Sequence, residues 1–348
     1  MASRINQATL PRAYRVVKKS FSTHRLWNLL KIESSRIISN FSHKTYVWGL
    51  PPVIMVEAAS VCNLRCPCCA CGAGQIQRKQ PFLDVSLFQE LIHELKDSIW
   101  MVLFWNQGEP FMNPHLMDMI QYASDLGIYT ITSTNGHFLN NPDAIINSML
   151  DELIVSLDGA SENTYLKYRV GGDFFKVIKG VESLVGKRRE KNQINPRVTI
   201  QCVISRHNEH EIGSLENLAR DIGADEIVFK TMEITPGVDS TDYLPRNPKF
   251  RRYDISPDQW LRKNDHKHCP ELWHQPVMNS DGSFSVCCFD KTAELNPGTY
   301  SKGKFIDLWH GAEWMKIREK VKENKAGMLP CKKCTASQNL NYKSVVFR

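Results

Sequence analysis

Residues 53–71 read Val53-Ile-Met-Val-Glu-Ala-Ala-Ser-Val-Cys62-Asn-Leu-Arg-Cys66-Pro-Cys68-Cys69-Ala-Cys71. The apolar run Val53–Ala58 predicts a buried strand, and it empties directly into a loop crowded with thiols. That order is characteristic of parallel α/β sheets, whose reactive residues collect on the loops after the C-terminal ends of strands.

Working outward, further short apolar runs fall at Trp100–Trp105, Ile128–Ser133, Glu152–Leu157, Val198–Ile204 and Glu226–Lys230. Amphipathic stretches near 86–97, 115–126, 141–149, 174–188 and 209–222 separate them. Strands alternating with helices at this spacing predict βαβ units and a parallel sheet. Six strands fall short of the eight of a closed barrel, so the expected fold is α/β, a partial (β/α)6 TIM-like barrel.

The expected division is a basic helical N-terminal extension over 1–48, a barrel core over 49–233, a linker over 234–262 and a small cysteine-rich α+β region over 263–348. Pro236, Gly237, Pro245, Pro248 and Pro257 break any long element in the linker. In the N-terminal extension, Leu26, Leu30, Ile37 and Phe41 recur at roughly helical spacing.

The chain has 348 residues, 42% of them hydrophobic and 23% charged, which supports a sizeable core and excludes disordered or low-complexity classes. Its formal charge of +7 is unevenly spread. Residues 1–50 hold nine basic side chains and one acid, Glu33, while residues 291–348 hold twelve against five. The body between them is net acidic, which argues against a nucleic-acid footprint.

Of the 11 cysteines, the five in 62–71, the adjacent Cys287 and Cys288, and the Cys331/Cys334 pair form tight groups, with Cys202 and Cys269 apart. No secretory signal precedes them, so cytoplasmic metal ligation is the expectation rather than a disulfide framework. Cys62, Cys66 and Cys69 form C-x3-C-x2-C, and three thiolates can hold three irons of a [4Fe–4S] cube while the fourth stays open. Zinc prefers a complete tetrahedral set, so a zinc knuckle fits poorly.

With these motifs the chain resembles the radical S-adenosylmethionine (SAM) superfamily. Asn106-Gln107-Gly108-Glu109-Pro110 is similar to the Gly-Gly-Glu-Pro turn that binds the SAM amino group, with Gln107 in place of the first Gly. Thr134-Asn135-Gly136 stands where the family often has this motif, and Ser156-Leu157-Asp158-Gly159 is followed by Tyr165 and Arg169. The resemblance implies that Gln107, Gly108, Glu109, Pro110, Asn135, Ser156 and Arg169 contact SAM, Ser156 near the ribose and Arg169 at the carboxylate. Tyr165 and Arg169 would share a helix face.

Cys269, Gly282, Cys287, Cys331 and Cys334 resemble the SPASM/Twitch extension, which implies one auxiliary [4Fe–4S] cluster on Cys269, Cys287, Cys331 and Cys334. An Asp281-Gly282 turn would bring the first two together as a hairpin.

The resemblance implies reductive SAM cleavage to a 5′-deoxyadenosyl radical that takes hydrogen from a substrate C–H bond. It also implies a flavodoxin- or ferredoxin-type reductase as partner, while the acidic middle of the chain leads to the expectation of no nucleic acid. Similar enzymes act on sugars, aminocyclitols, peptides and enzyme side chains. The short segment before the barrel leans the expectation toward oxidation or epimerisation of a small molecule or sugar. A peptide or protein maturase is the alternative, and a non-enzymatic iron–sulfur scaffold or electron carrier is the reading from another class.

For epimerisation Cys202 is the candidate hydrogen donor, against an inert core thiol. His207 with His210, and His266 with His268, have metal-like spacing but lack a complete ligand set. The N-terminal segment has three readings: a peripheral membrane contact, an acidic-substrate site, or packing on the barrel with its charges in water.

Overall fold

A computed structural model describes residues 9–42, 44–235, 237–255, 260–262, 269–332, 334 and 340–347. The His266/His268 pair, Pro236 and Pro257 lie outside the described residues. The chain opens with α1 (Thr9–Ser20) and α2 (Thr23–Phe41), then builds β1 (Val53–Val56), α3 (Val85–Leu95), β2 (Met101–Phe104), α4 (Leu116–Asp125) and β3 (Tyr129–Thr134). There follow α5 (Pro142–Asn147), β4 (Glu152–Ser156), α6 (Glu162–Tyr168), α7 (Phe174–Glu190), β5 (Arg197–Ile204), α8 (Ile212–Asp221) and β6 (Glu226–Thr231). Asp84, Asn141 and Asp173 begin α3, α5 and α7 by accepting backbone N–H groups from Leu87, Ala144 and Lys176.

β1 to β6 pair in parallel in chain order. Alternate residues face the helices: Val198, Ile200, Cys202 and Ile204 on β5 join the large outer core with Leu184, Leu215 and Phe229. The opposite face forms a smaller core of Met55, Leu103, Tyr129, Ile131 and Ile154. This is the barrel interior.

The remaining elements are β7 (Tyr253–Ile255), β8 (Trp260–Arg262), α9 (Glu271–His274), β9 (Val277–Met278), β10 (Phe284–Ser285), α10 (Phe305–Trp309), α11 (Ala312–Asn324), α12 (Leu329–Lys332) and β11 (Asn341–Val346). The stretch read as a linker thus carries a small antiparallel hairpin, β7–β8. The cysteine-rich region does not stand apart from the sheet. β9 adds in parallel beside β1, and β11 adds antiparallel beside β6. The order is β10-β9-β1-β2-β3-β4-β5-β6-β11, so the C-terminal region covers both open edges of the partial barrel. The expected hairpin is present: β9 and β10 pair antiparallel around Gly282, whose φ is +79°.

The N-terminal extension is two helices that pack on the barrel, and part of its basic charge is paired inside the fold rather than left in water. α1 lies under the N-terminal ends of the strands, where Val16 packs against the interior core. There Arg12 forms an ion pair with buried Glu152, and Lys19 lies 2.5 Å from Asp151. Arg25 of α2 is buried and donates to the carbonyls of Ser20, Lys96, Leu126 and Gly127. The apolar residues Leu26, Leu30, Ile37 and Phe41 are the exposed ones.

Candidate active site and auxiliary cluster centre

The loop after β1 is folded tightly on itself. Cys69 N–H donates to Cys66 O (3.1 Å), and Ala73 N–H donates to Cys69 O (2.8 Å). Gly72 is required here, because a Cβ on it would come within 2.4 Å of Cys66 O. Arg65 N–H ties the loop to Val170 O (3.0 Å), beyond α6.

Cys62, Cys66 and Cys69 are all free thiols, with Cys69 close enough to raise the cost of ionising Cys62, and Cys62 and Cys69 close enough to do the same to Cys66. Burial pushes Cys66 up to about 11 and raises Cys62 as well. Such thiolates need a positive group among them, which iron supplies. Two donors already face the sulfurs: Asn135 Nδ2 lies 3.7 Å from Cys62 Sγ, and Arg169 Nη1 lies 3.9 Å from Cys66 Sγ. Among the described residues no three Cys, His, Asp or Glu side chains converge on a site for a single metal ion. Thiolates on separate corners of a cube need no common point, so the loop fits a cluster better than zinc.

The turn after β2 reaches this loop. Gly108 has φ +71°, and a Cβ on it would come within 2.3 Å of Ala59 O, so only glycine allows the approach. Glu109 N–H then donates to Val61 O (2.8 Å). The buried Glu109 carboxylate accepts from Asn135 N–H (2.7 Å), Thr134 Oγ1 (2.8 Å) and Phe111 N–H (3.2 Å). Burial pushes its pKa up to about 7 against these donors and Arg169. With three acceptor positions filled of roughly four on a carboxylate, Glu109 fastens the turns after β2 and β3 and keeps about one position for an ammonium. Gln107 is buried beside it, and Pro110 starts a 3₁₀ turn over Pro110–Met112.

Asn135 donates through Nδ2 to Asn63 Oδ1 (2.7 Å), linking the third turn to the cysteine loop. Its Oδ1 accepts from His137 N–H (3.1 Å) and faces His137 Nδ1 (2.9 Å), whose Nε2 accepts from Asp173 N–H (2.8 Å). Ser156 ends β4. Arg169 lies just past α6 rather than within it, so it does not share a helix face with Tyr165, which packs on Phe174. Arg169 Nε instead pairs with buried Asp158 at 2.5 Å.

The structure therefore gathers Cys62, Cys66, Cys69, Glu109, Asn135 and Arg169 at one end of the barrel. Cys202 sits with the helix-facing set of β5, fully buried, with Asn208 Nδ2 at 3.5 Å from its sulfur. It faces away from the interior. His207 packs edge-on against Tyr243, and exposed His210 has Glu211 4.0 Å away.

The second thiol group assembles from three separate elements. Cys269 precedes α9, Cys287 follows β10, and Cys331 lies in α12, with Cys334 N–H donating to Cys331 O (3.1 Å). Cys269 and Cys334 are electrostatic neighbours of each other and of both Cys287 and Cys331. Burial pushes Cys269 up to about 11 and Cys331 up to about 12, with Lys325 opposing it at both. Four such thiols fit a fully ligated cluster. Cys288 takes the other side of the chain and packs toward the interior core.

Motif reading missed Asp158, His137 and the Glu57–Arg78 pair. Glu57, fully buried just past β1, meets Arg78 at 2.9 Å, and Asn106 Nδ2 at 3.2 Å. Arg78 also donates to Asn279 Oδ1 and Lys291 O, bridging the cysteine loop to the C-terminal region. An acid inside the apolar run Val53–Ala58 was the available signal.

With this geometry in hand, family comparisons agree with it. Residues 56–219 match the Radical SAM superfamily model, and residues 269–335 match the SPASM iron–sulfur cluster-binding domain. The chain carries a radical SAM domain followed by a SPASM iron–sulfur domain, and these imply a [4Fe–4S] cluster, SAM and auxiliary iron–sulfur chemistry as cofactors.

It is 29% identical over 178 residues to an AdoMet-dependent heme synthase of Methanosarcina barkeri, covering 50% of this chain and 48% of that one. It is 24% identical over 182 residues to a PqqA peptide cyclase of Bradyrhizobium diazoefficiens, covering 52% and 46%. The chain thus spans about half the length of these curated relatives. Streptococcus suis SuiB bound to S-adenosylmethionine shares the fold, with a TM-score of 0.61 and 13% identity, over 90% of this chain and 77% of that one. No helix among the described residues is long and apolar enough to cross a membrane.

Proposed function

We propose that this chain is a radical SAM maturase that modifies a peptide or protein side chain. The observation that carries the SAM chemistry is the convergence of Cys62, Cys66 and Cys69 with Glu109, Asn135 and Arg169. Cys62, Cys66 and Cys69 would hold the first cluster, and Cys269, Cys287, Cys331 and Cys334 one auxiliary cluster. Once bound and reduced, the first cluster supplies the electron that cleaves SAM to a 5′-deoxyadenosyl radical, which takes hydrogen from substrate.

The protein's own part is orientation and charge. Glu109 keeps an acceptor for the SAM ammonium, and the acidic body suits a cation. Arg169, held by Asp158, presents Nη1 toward Cys66 and offers a donor for the SAM carboxylate. Gln107, Gly108, Pro110 and Ser156 line the remaining strand ends. A carrier of flavodoxin or ferredoxin type would deliver the electron.

For the substrate, the similarity to a protein named as a peptide cyclase favours a peptide over the small molecule or sugar first expected. That first expectation rested on the length of chain before β1, which carries no chemistry. Epimerisation through Cys202 loses its support, because that thiol faces the helices.

Anaerobic reconstitution with SAM and dithionite should yield 5′-deoxyadenosine, and Cys62→Ala should abolish it. Substrate class is read by deuterium transfer into 5′-deoxyadenosine from fractions of a deuterated cell extract. Transfer from the peptide fraction supports the proposal, and transfer from the sugar fraction alone overturns it.

A further inference from the structure

The outward surface of the N-terminal helices is at odds with the rest of the molecule. α2 buries Arg25, Asn28, Ser35 and Ser39 and turns Trp27, Leu30, Ile37, Ile38 and Phe41 to the outside. Phe41 is 90% exposed and Trp27 64%. On α1 the same holds for Tyr14 (68%) and Val17, with Phe21 just beyond its end.

This face cannot be turned inward, because the buried face of α2 is fully engaged. Arg25 satisfies four carbonyls, Asn28 both donates to Leu50 O and accepts Leu50 N–H, and Ser39 bonds the backbone of Tyr46. Rolling the helix would strand those groups without partners. The apolar stripe is therefore the helix's outer face by construction, a row along one helix face rather than apolar residues scattered singly.

Charge distinguishes what covers it. Arg12, Arg15, Lys19 and Arg25 are used inside the fold, which leaves Lys18, Lys31 and Lys44 beside the stripe. Glu33 is the single acid of the segment, and Arg36 holds it at 2.7 Å. Aromatic and aliphatic side chains fringed by lysines, with the segment's one acid already paired to Arg36 and His274, complement an anionic bilayer surface.

We propose that the outer face of α1 and α2 seats this protein on an anionic membrane surface, lying on it rather than crossing it. The barrel would then be held with its α1-covered floor near the lipid and the cysteine loop at its opposite end. This inference is independent of the substrate.

The test is co-sedimentation of the reconstituted holoprotein with phosphatidylcholine vesicles containing phosphatidylglycerol, against phosphatidylcholine alone. Binding at least roughly ten-fold tighter to the anionic vesicles, and weakening as salt rises, is expected. Trp27→Glu with Phe41→Glu should lower it by roughly ten-fold or more while iron content and 5′-deoxyadenosine formation are kept. Brominated lipid should quench more fluorescence in the wild type than in Trp27→Phe. Equal binding to neutral vesicles, no binding, or binding untouched by the double substitution would overturn the proposal. So would sedimentation velocity showing a dimer that the double substitution dissolves, since the face would then belong to a second copy.

Discussion

Arg169 and Asp158 form a short, buried ion pair, Nε to Oδ2 at 2.5 Å, that leaves Nη1 directed at Cys66. Asp158 also accepts Val203 N–H (2.7 Å), so the carboxylate anchors the guanidinium to β5. Asp158→Asn keeps the shape but removes the charge that holds the arginine. The KM for SAM should rise about ten-fold, the loss of one charge-assisted hydrogen bond, with iron content unchanged. A lost first cluster in Asp158→Asn would contradict this, and iron analysis decides it.

Cys287 and Cys288 are neighbours with different surroundings. Cys287→Ser should remove about four irons per chain on reconstitution, the content of one cube, as should Cys269→Ser. Cys288→Ser should retain the full complement, because that thiol packs toward the interior core. Iron and sulfide quantitation compares the three.

Lys230 lies on β6 opposite the outward residues Ile227 and Phe229. Burial, with Arg252 and Arg12 nearby, pushes its pKa down to about 8. The folded state then holds fewer protons than the unfolded one between about pH 8 and the ordinary lysine value, so stability rises with pH across that window. Lys230→Met should stabilise by about 3 kcal/mol at pH 7, a gain that fades toward pH 10. Urea denaturation at the two pH values measures it, and an equal gain at both would refute the assignment.

Arg25 joins four carbonyls from three segments: Ser20, Lys96, and Leu126 with Gly127. Arg25→Met retains bulk and leaves those carbonyls buried, so stability should fall by about 3 kcal/mol. The urea midpoint reports it. SAM cleavage in the fraction that stays folded should be unchanged.

The barrel strands are legible because each is a compact apolar run closed off by turn residues, and the catalytic loop is legible because its spacing is local. The pairing of β9 and β11 is not. β9 is two residues long, and β11 finds its partner in β6 across more than a hundred residues, so neither carries a local mark. Arg169 is visible as a motif residue, but its hold on Asp158 depends on how the chain leaves α6. Helical periodicity reveals the stripe Leu26, Leu30, Ile37 and Phe41 without saying which way it faces. Only the carbonyls waiting for Arg25 decide that.

β11 is the last strand of the sheet, and it covers β6 from the far end of the chain. During synthesis the barrel therefore stands with one open edge until residues 341–346 have been made. Cys331 and Cys334 emerge only shortly before that strand. Sheet closure and completion of the second thiol group are thus nearly the same event in time. A nascent chain stalled before it would expose both a free strand edge and unligated thiols, the pair of features most prone to misassembly.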